Sequence, residues 1–567
     1  MGIKHFWIWF KKNFNEDINT VNLSSNSAEI SVDTLAIDMN GIYHVCAQKV
    51  YKYGNYAPRF KKLLSKNSRP KQRVLFKAIA EQINFYRKFV NPKKKLLLCV
   101  DGVAGKAKMA QQRQRRFRTA KDSTSNMGFD PNCITPGTEF MDYLSKYLDW
   151  YIRGQISVDP AWKNLEVIFS NEKVPGEGEH KIVHYLREHK KIGESCCIHG
   201  MDADLIMLGL ASPCDDIYIL RDDSFNYRIT HVVNLGEIRK KLGKRLSESS
   251  NLQSLKTRKH IKDFLLMCYS VGNDFLPHSP GIEILSGGID SMIATYKDIE
   301  EEEGSFTRNY KGKLRFRKKS FITFLKDFAE MEQDLLDIKA NKGNTFPDPI
   351  LDASTTVDEN AKSHVNLEMY KRLYYESKFK CSETGVTVNQ ICGEYIKGLA
   401  WVLDYYTSGI PTWTWCFPWY YAPFLSDVAN ALENYTTKNY IPDEPLLPFQ
   451  QLMTVLPEKS SKLLPTPIAA LMTSESETIG EFFPVEFQID LAGKKREWEG
   501  IALLPPVDTE KFLSELDSVL PEIEQRILRR NTTGKTFRYK YSSKKLWVFK
   551  SYYGDIIENF CRRDFLN

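Results

Sequence analysis

Seven carboxylates in the first half of the chain occupy positions where acids do chemistry. Leu35-Ala36-Ile37 runs into Asp38, and Leu98-Cys99-Val100 runs into Asp101. Farther on come Glu177 and Glu179 in Gly176-Glu177-Gly178-Glu179, Asp202 and Asp204 around Ala203, and Asp274 after Gly272-Asn273. In an open α/β sheet ligands bind outside the carboxyl ends of the strands, so acids from several strands converge on one cleft. Charges so gathered repel one another unless cations neutralise them. Hard oxygen donors select Mg²⁺ or Mn²⁺ rather than zinc, and two such ions activate a water on one side of a phosphate while stabilising the leaving oxygen on the other. Taken singly, each acid is better explained as an N-cap, a turn residue or a first-turn helix acid. The metal reading rests on the set. Glu177 and Glu179 would diverge on a regular helix, so sharing an ion needs the non-helical entry that Gly176 and Gly178 permit. Asp202 and Asp204 share one face if the preceding strand continues through them.

A basic helix follows Asp101. Lys106 to Met127 contains no Pro and, apart from its start after Gly105, no Gly, and Lys108, Gln112, Arg115 and Arg116 fall at i, i+4, i+7 and i+8, on one helical face. Alone it reads as a solvated surface; beside a carboxylate cluster, Arg forks among amide donors suit capture of a terminal phosphate.

The elements that must carry these residues show an α/β rhythm over roughly the first 285 residues. Strand-length apolar runs at Thr34 to Ile37, Lys95 to Val100, Glu166 to Phe169 and Ser195 to Ile198 alternate with helical spacing at Arg73 to Val90, Glu139 to Arg153 and His180 to His189. This predicts a mainly parallel sheet with helices on both faces. From about Ile299 charged and polar connections take over, then a largely helical stretch from about Asn366 to Tyr406 and an aromatic-rich turn region. A strand over Val485 to Leu491, a helix over Thr509 to Leu520 and a basic, aromatic tail close the chain; Arg526 to Lys550, basic with interleaved aromatics, reads first as a strand pair with an ordinary surface and second as a guide for RNA. The bounds are those of a globular protein: 567 residues, 42% hydrophobic, 26% charged and a net charge of +8, which permits an acidic partner without requiring one. No run nears the roughly 18 apolar residues of a membrane span, and the N-terminus fits neither a signal peptide nor the myristoylation pattern. Eleven scattered cysteines without a C-x-x-C pair predict neither a disulfide framework nor a zinc site.

The segments TLAIDMNGIYH, LLLCVDGVAGKAKMAQQRQRRFR, VPGEGEHKIVHYLRE, MDADLIMLGLAS and GNDFLPH, with YIKGLAWVLDYYTSGIPTWTWCFPWYYAPFLSD, PFQQLMTVLP and FFPVEFQIDLAGKKREWEGIALLP after them, resemble the Xrn family of 5′→3′ exoribonucleases over roughly residues 1 to 515. The resemblance implies a PIN/FEN-like α/β nuclease core over 1–298, a charged connecting region over 299–365, a helical, aromatic-rich second block over 366–515 packed around the active site, and a basic tail over 516–567. It implies metal-binding catalytic acids at Asp38, Asp101, Glu177, Glu179, Asp202, Asp204 and Asp274, and a 5′-monophosphate pocket at Lys108, Gln112, Arg115 and Arg116. It further implies base stacking between His44 and one of Trp413 or Trp415, with Trp401 and Trp419 in the core and Asn40 and His180 assisting. The implied reaction is processive removal of 5′-mononucleotides from single-stranded RNA with Mg²⁺ or Mn²⁺, two ions, by a monomer working in the cytoplasm, the nucleus remaining open. The family's usual Pro-Arg before the lysine motif is Gly105-Lys106 here, and its usual Leu after the Asp-Phe-Leu-Pro-His motif is Ser279. The zinc-knuckle cysteines of the nuclear branch and the long extension of the cytoplasmic branch are not seen, so partners docking on that extension are not expected. Two competing readings are a structure-specific 5′ DNA nuclease of the flap type, whose helix-hairpin-helix is not evident in Pro280 to Met292, and a catalytically inactive RNA-binding scaffold, which has no use for seven mutually repelling acids.

Overall fold

The computed structural model describes residues 3, 5–25, 27–56, 72–122, 129–189, 191, 193–224, 226–247, 254–284, 287–310, 313–343, 345–436 and 440–566. The apolar runs become strands of one sheet: β1 (Ile18–Asn22), β2 (Thr34–Asp38), β3 (Lys95–Cys99), β4 (Glu166–Ser170), β5 (Cys196–His199), β6 (Ile217–Asp222) and β7 (Ile229–Asn234). Their order is β1-β7-β6-β5-β2-β3-β4, and β2 to β6 run parallel, so the fold is α/β around a mainly parallel sheet. The chain steps outward from β2 through β3 to β4, then returns to place β5 on the other side of β2. That reversal opens a crevice at the carboxyl ends of β2, β3 and β5, where three of the acid motifs lie.

Both faces of the sheet are covered, which is why the central strands are apolar throughout rather than alternating. Leu35, Ile37, Leu96 and Leu98 pack against the helices Met39–Tyr51, Gln72–Val90 and Glu139–Val158. Ala36, Leu97 and Ile198 face Gly178–His189, Asp204–Ala211 and the second block. In that block the stretch expected to be helical divides into Leu367–Phe379, Cys381–Thr384 and Val388–Thr407. The last begins with a reciprocal cap: Thr387 Oγ1 accepts from the Gln390 amide at 3.3 Å, and Gln390 Oε1 accepts from the Thr387 amide at 2.8 Å. The strand expected over 485–491 is confined to Gln488–Asp490, which pairs with Ile501–Leu503 before Gly493 turns the chain at φ 68°. No helix among the described residues is long and apolar enough to cross a membrane, and all eleven cysteines are free thiols.

The basic tail does more than pair with itself. Phe537–Tyr541 lies antiparallel on β4 with Phe537 opposite Phe169, and Cys561–Phe565 pairs with it in turn, so the sheet has nine strands. Tyr539 is fully buried there and its hydroxyl donates to Asp149 Oδ1 at 2.6 Å.

The basic helix spans Lys106–Asp122; the remainder of its expected course, 123–127, lies outside the described residues. Its Met109 and Phe117 are buried with Phe449, Leu452 and Phe483 of the second block. On the same side Arg113 is buried and donates to the Thr454 carbonyl at 3.0 Å and to the Phe482 carbonyl. Burial pushes its guanidinium down to about 10, which still leaves it charged at neutral pH. Arg113→Met is expected to cost about 2 to 4 kcal/mol in urea denaturation, because two buried carbonyls lose their donor; an unchanged midpoint would mean that apolar packing alone holds this helix.

Candidate active site

The Gly176 to Glu179 turn carries the geometry on which the acids depend. Gly176 adopts φ 105°, and its carbonyl accepts from the Gly102 amide at 2.8 Å, which ties the turn to the end of β3. Gly178 opens the helix, so Glu177 precedes it and Glu179 sits in its first turn, where the macrodipole favours an acid. A Cβ at Gly178 would lie 2.6 Å from Asp38 Oδ1, 2.9 Å from the Cys99 carbonyl and 3.4 Å from Asp101 Oδ1. Only glycine lets the backbone come this close, and its amide donates to Asp101 Oδ1 at 2.7 Å. Asn40 Oδ1 accepts from the Asp101 amide at 3.0 Å and fixes the end of β3 against the start of the helix after β2.

The seven acids lie near one another, but Asp202 and Asp204 do not share a strand face: β5 ends at His199, Asp202 lies in the loop after it and Asp204 opens the helix Asp204–Ala211. Burial first, then Asp101 and Asp202, hold the Asp38 carboxyl well above the usual range; burial, Asp202 and Asp204 do the same to Glu179. Burial, Asp202 and Asp274 push Asp204 up to about 8. Lys108 stands inside this cluster, its ammonium 2.5 Å from Glu177 Oε2 and 2.8 Å from Asp274 Oδ2. Burial alone would discharge it, but Asp274 and Glu177 outweigh burial and hold its pKa well above that of a free lysine. The other oxygen of Glu177 accepts from the Tyr405 hydroxyl at 2.7 Å. His180 stacks on that tyrosine with ring centroids 3.7 Å apart.

This donor set fits a hard divalent cation. Asp38 Oδ1, Glu179 Oε2 and Asp204 Oδ1 are buried without a hydrogen-bond partner, and buried carboxylate oxygens in that condition call for a cation. Among the described residues no three ligating groups already stand at coordination distance.

Gln112, Arg115 and Arg116 lie one to two turns farther along the helix. Arg116 is 9% exposed with Nη1 buried and unpartnered, and Gln112 is 7% exposed with Oε1 unpartnered. Burial and then the neighbouring Arg115 push the Arg116 guanidinium down to about 9. His44, on the helix after β2, belongs to the same group: burial and then Arg115 and Arg116 push it down to about 4. The ring is therefore expected to remain neutral at about pH 6, where a free histidine (pKa about 6.5) is mostly charged. Imidazole ¹H–¹³C shifts that stay flat from pH 8 to about 5.5 would bear this out, and a midpoint near 6.5 would place His44 away from the two arginines. The two tryptophans part company. Trp415 is 7% exposed and packs 5.1 Å from Trp401, with Gly398 giving it room. Trp413 is half-buried at the wall of a cleft, its carbonyl accepting from the Lys106 amide at 2.7 Å and its own amide donating to Asp443 at 2.6 Å. Among the described residues no ring contact joins His44 to either of them. Trp401 is core, and Trp419 packs partly buried against it.

Neither sequence departure disturbs this arrangement. Ser279 is buried with its hydroxyl donating to the Pro423 carbonyl at 2.9 Å, and a Cβ at Gly105 would come within 2.9 Å of Ile410 Cδ1. Tyr405 and Arg113 carry no signal in the sequence beyond their type; an aromatic helix in a second block and one arginine among several on a basic helix read as core and surface.

A parallel sheet whose carboxyl ends gather acids beside a cationic helix is the architecture of the carboxylate-cluster nucleases. The family described as XRN 5'-3' exonuclease N-terminus matches residues 1–223, and the one described as Xrn1 helical domain matches 254–363 and 350–555. The chain belongs to the XRN 5'-3' exonuclease family. It is 30% identical to 5'-3' exoribonuclease 1 of Homo sapiens over 99% of this chain and 37% of that protein. It is 30% identical to the 5'-3' exoribonuclease 2 homolog of Drosophila melanogaster over 91% of this chain and 68% of that protein. To 5'-3' exoribonuclease 1 of Saccharomyces cerevisiae it is 28% identical over 93% of this chain and 44% of that protein. The chain thus spans less than half the length of the human and yeast relatives.

Proposed function

We propose that the chain is a 5′→3′ exoribonuclease that removes 5′-mononucleotides, one per cycle, from single-stranded RNA bearing a 5′-monophosphate. The observation that carries the reading is the pairing of two opposite electrostatic sites on one helix. Lys108 reaches into the acid cluster, while Gln112, Arg115 and Arg116 gather with His44 around the unpartnered Arg116 Nη1 donor, in a chain whose relatives are named exoribonucleases. In this reading Arg115, Arg116 and Gln112 grip the terminal phosphate, and the helix that carries them with Lys108 sets the bond that is cut. Divalent cations of the Mg²⁺ or Mn²⁺ class, two of them, would supply the activated water and stabilise the leaving oxygen when held by Asp38, Asp101, Glu177, Glu179, Asp202, Asp204 and Asp274. Tyr405 and Lys108 orient Glu177 from two sides. His44, held neutral, and Trp413 stack the terminal bases without reading their identity. A pocket that takes only a monophosphate would reject a triphosphate or a capped end by bulk and charge.

The test is Mg²⁺-dependent digestion of one 3′-labelled RNA carrying a 5′-monophosphate, a 5′-triphosphate or a 5′-hydroxyl. Rapid conversion of the monophosphate form alone to mononucleotides is expected. Equal cutting of all three would sink the pocket assignment, and no cutting of any would favour a binding scaffold.

A further inference from the structure

A second cavity lies behind the acid cluster. It measures about 1070 Å³ and runs between the Gly178–His189 helix, the loop after the Val388–Thr407 helix and the end of the tail strands. Sites of about 300 to 1,000 Å³ are the size that encloses small organic ligands. Its charge is one-sided. His184, Arg187, His189, Arg315 and Lys535 line it, whereas its one carboxylate, Asp404, is already matched by Arg315 at 3.6 Å. Several of these donors are uncommitted. Arg187 gives one Nη to the Tyr406 carbonyl at 2.6 Å but keeps its Nε buried with no acceptor. Among the described residues neither His184 nor Lys535 is held in an ion pair or a side-chain hydrogen bond, and both are exposed to the cavity mouth. Aromatic side chains complete the lining: Trp413 and Tyr440, with the buried Tyr405 held between His180 and Trp401.

Cations around an aromatic wall recognise an anion joined to a planar ring. We infer that this cavity is a binding site for a nucleoside monophosphate, separate from the pocket at Arg115 and Arg116. Its phosphate meets His184, Arg187 and Lys535, and its base lies on the aromatic wall, which tolerates purines and pyrimidines alike. Tyr405 joins the cavity wall to the acid cluster through its hydroxyl on Glu177. That the natural ligand is the released mononucleotide rests on the exoribonuclease reading; the site itself does not.

The experiment is calorimetric titration of the full chain with AMP and with UMP in the presence of EDTA, which withholds metal ions from the acids. Saturable binding of both is expected. The double variant His184→Ala, Lys535→Glu, at exposed positions that leave the core intact, should weaken it about tenfold or more, as loss of charge-assisted contacts to phosphate does. Because AMP and UMP are 5′-monophosphates that the pocket at Arg115 and Arg116 would also take, the intact cavity lining and the double variant are compared in an Arg115→Ala background, where binding is expected to persist with the lining intact. Absence of saturation up to about 10 mM, or wild-type binding by the double variant, overturns the site. So does abolition of binding by Arg115→Ala, which would move the nucleotide into the end-binding pocket. RNA digestion without added nucleotide separates the two readings. A double variant that digests normally but no longer binds nucleotide supports the site, whereas binding by a wild-type chain that digests no RNA keeps the site and removes its product role.

Discussion

Asp204→Asn is expected to lower kcat by about a thousandfold or more while making the metal-free protein more stable. Asp204 is 1% exposed, and its Oδ1 is buried without a hydrogen-bond partner. Burial, Asp202 and Asp274 raise it to about 8, against about 3.9 for an unfolded aspartate. Between those values the folded chain holds a proton that the unfolded chain releases, so stability is greatest below about pH 4 and falls as pH rises toward 8. The slope is on the order of 1 kcal/mol per pH unit in the middle of that window. The amide mimics the protonated acid and cannot ionise, so it flattens the slope while removing an anionic ligand. Urea denaturation in EDTA at about pH 5 and about pH 7.5, beside RNA binding and turnover with Mg²⁺, reads all three quantities. Wild-type turnover would remove Asp204 from the metal ligands, and an undiminished slope would assign the buried proton to another acid.

Arg116→Ala is expected to reduce kcat/KM on 5′-monophosphate RNA by about a hundredfold and to leave a 5′-hydroxyl RNA nearly unaffected. Its buried Nη1 has no partner, burial and the neighbouring Arg115 lower its guanidinium, and among the described residues no ion pair to it is found. Like charges held together in this way are relieved by a bound anion, so removing one loses binding energy only for substrates that carry the terminal phosphate. Equal losses on both RNAs would mean that Arg116 supports the helix rather than the substrate.

The strands and the acids were legible because they depend on short-range chemistry. A run such as Leu35-Ala36-Ile37 has one stable place in a parallel sheet, its centre, and a polar residue ending it must lie at the carboxyl edge. Gly176 and Gly178 announced a backbone close approach by their lack of side chains. What stayed hidden is set by partners distant in sequence. Tyr405 meets Glu177 across 228 positions, and Arg113 meets Phe482 across 369. Spacing within one helix separates the face of Lys108 and Arg115 from the face of Arg113 and Phe117, but not which face meets the second block. Trp413 and Trp415 differ by two residues in an irregular loop, where no periodicity assigns one to the core. The Phe537–Tyr541 sequence alternates aromatic and basic residues as a surface strand would, and nothing local to it points to β4.

That last strand determines when the molecule can be finished. Until Phe537–Tyr541 arrives, β4 presents a bare row of amides and carbonyls, a template for pairing with another chain. Roughly 400 residues separate β4 from the end of the tail pair, which at ordinary rates of synthesis is about 20 to 80 s of exposure on the ribosome. The nascent sheet therefore passes through a long vulnerable interval, and the yield of folded chain depends on β4 staying unpaired until then.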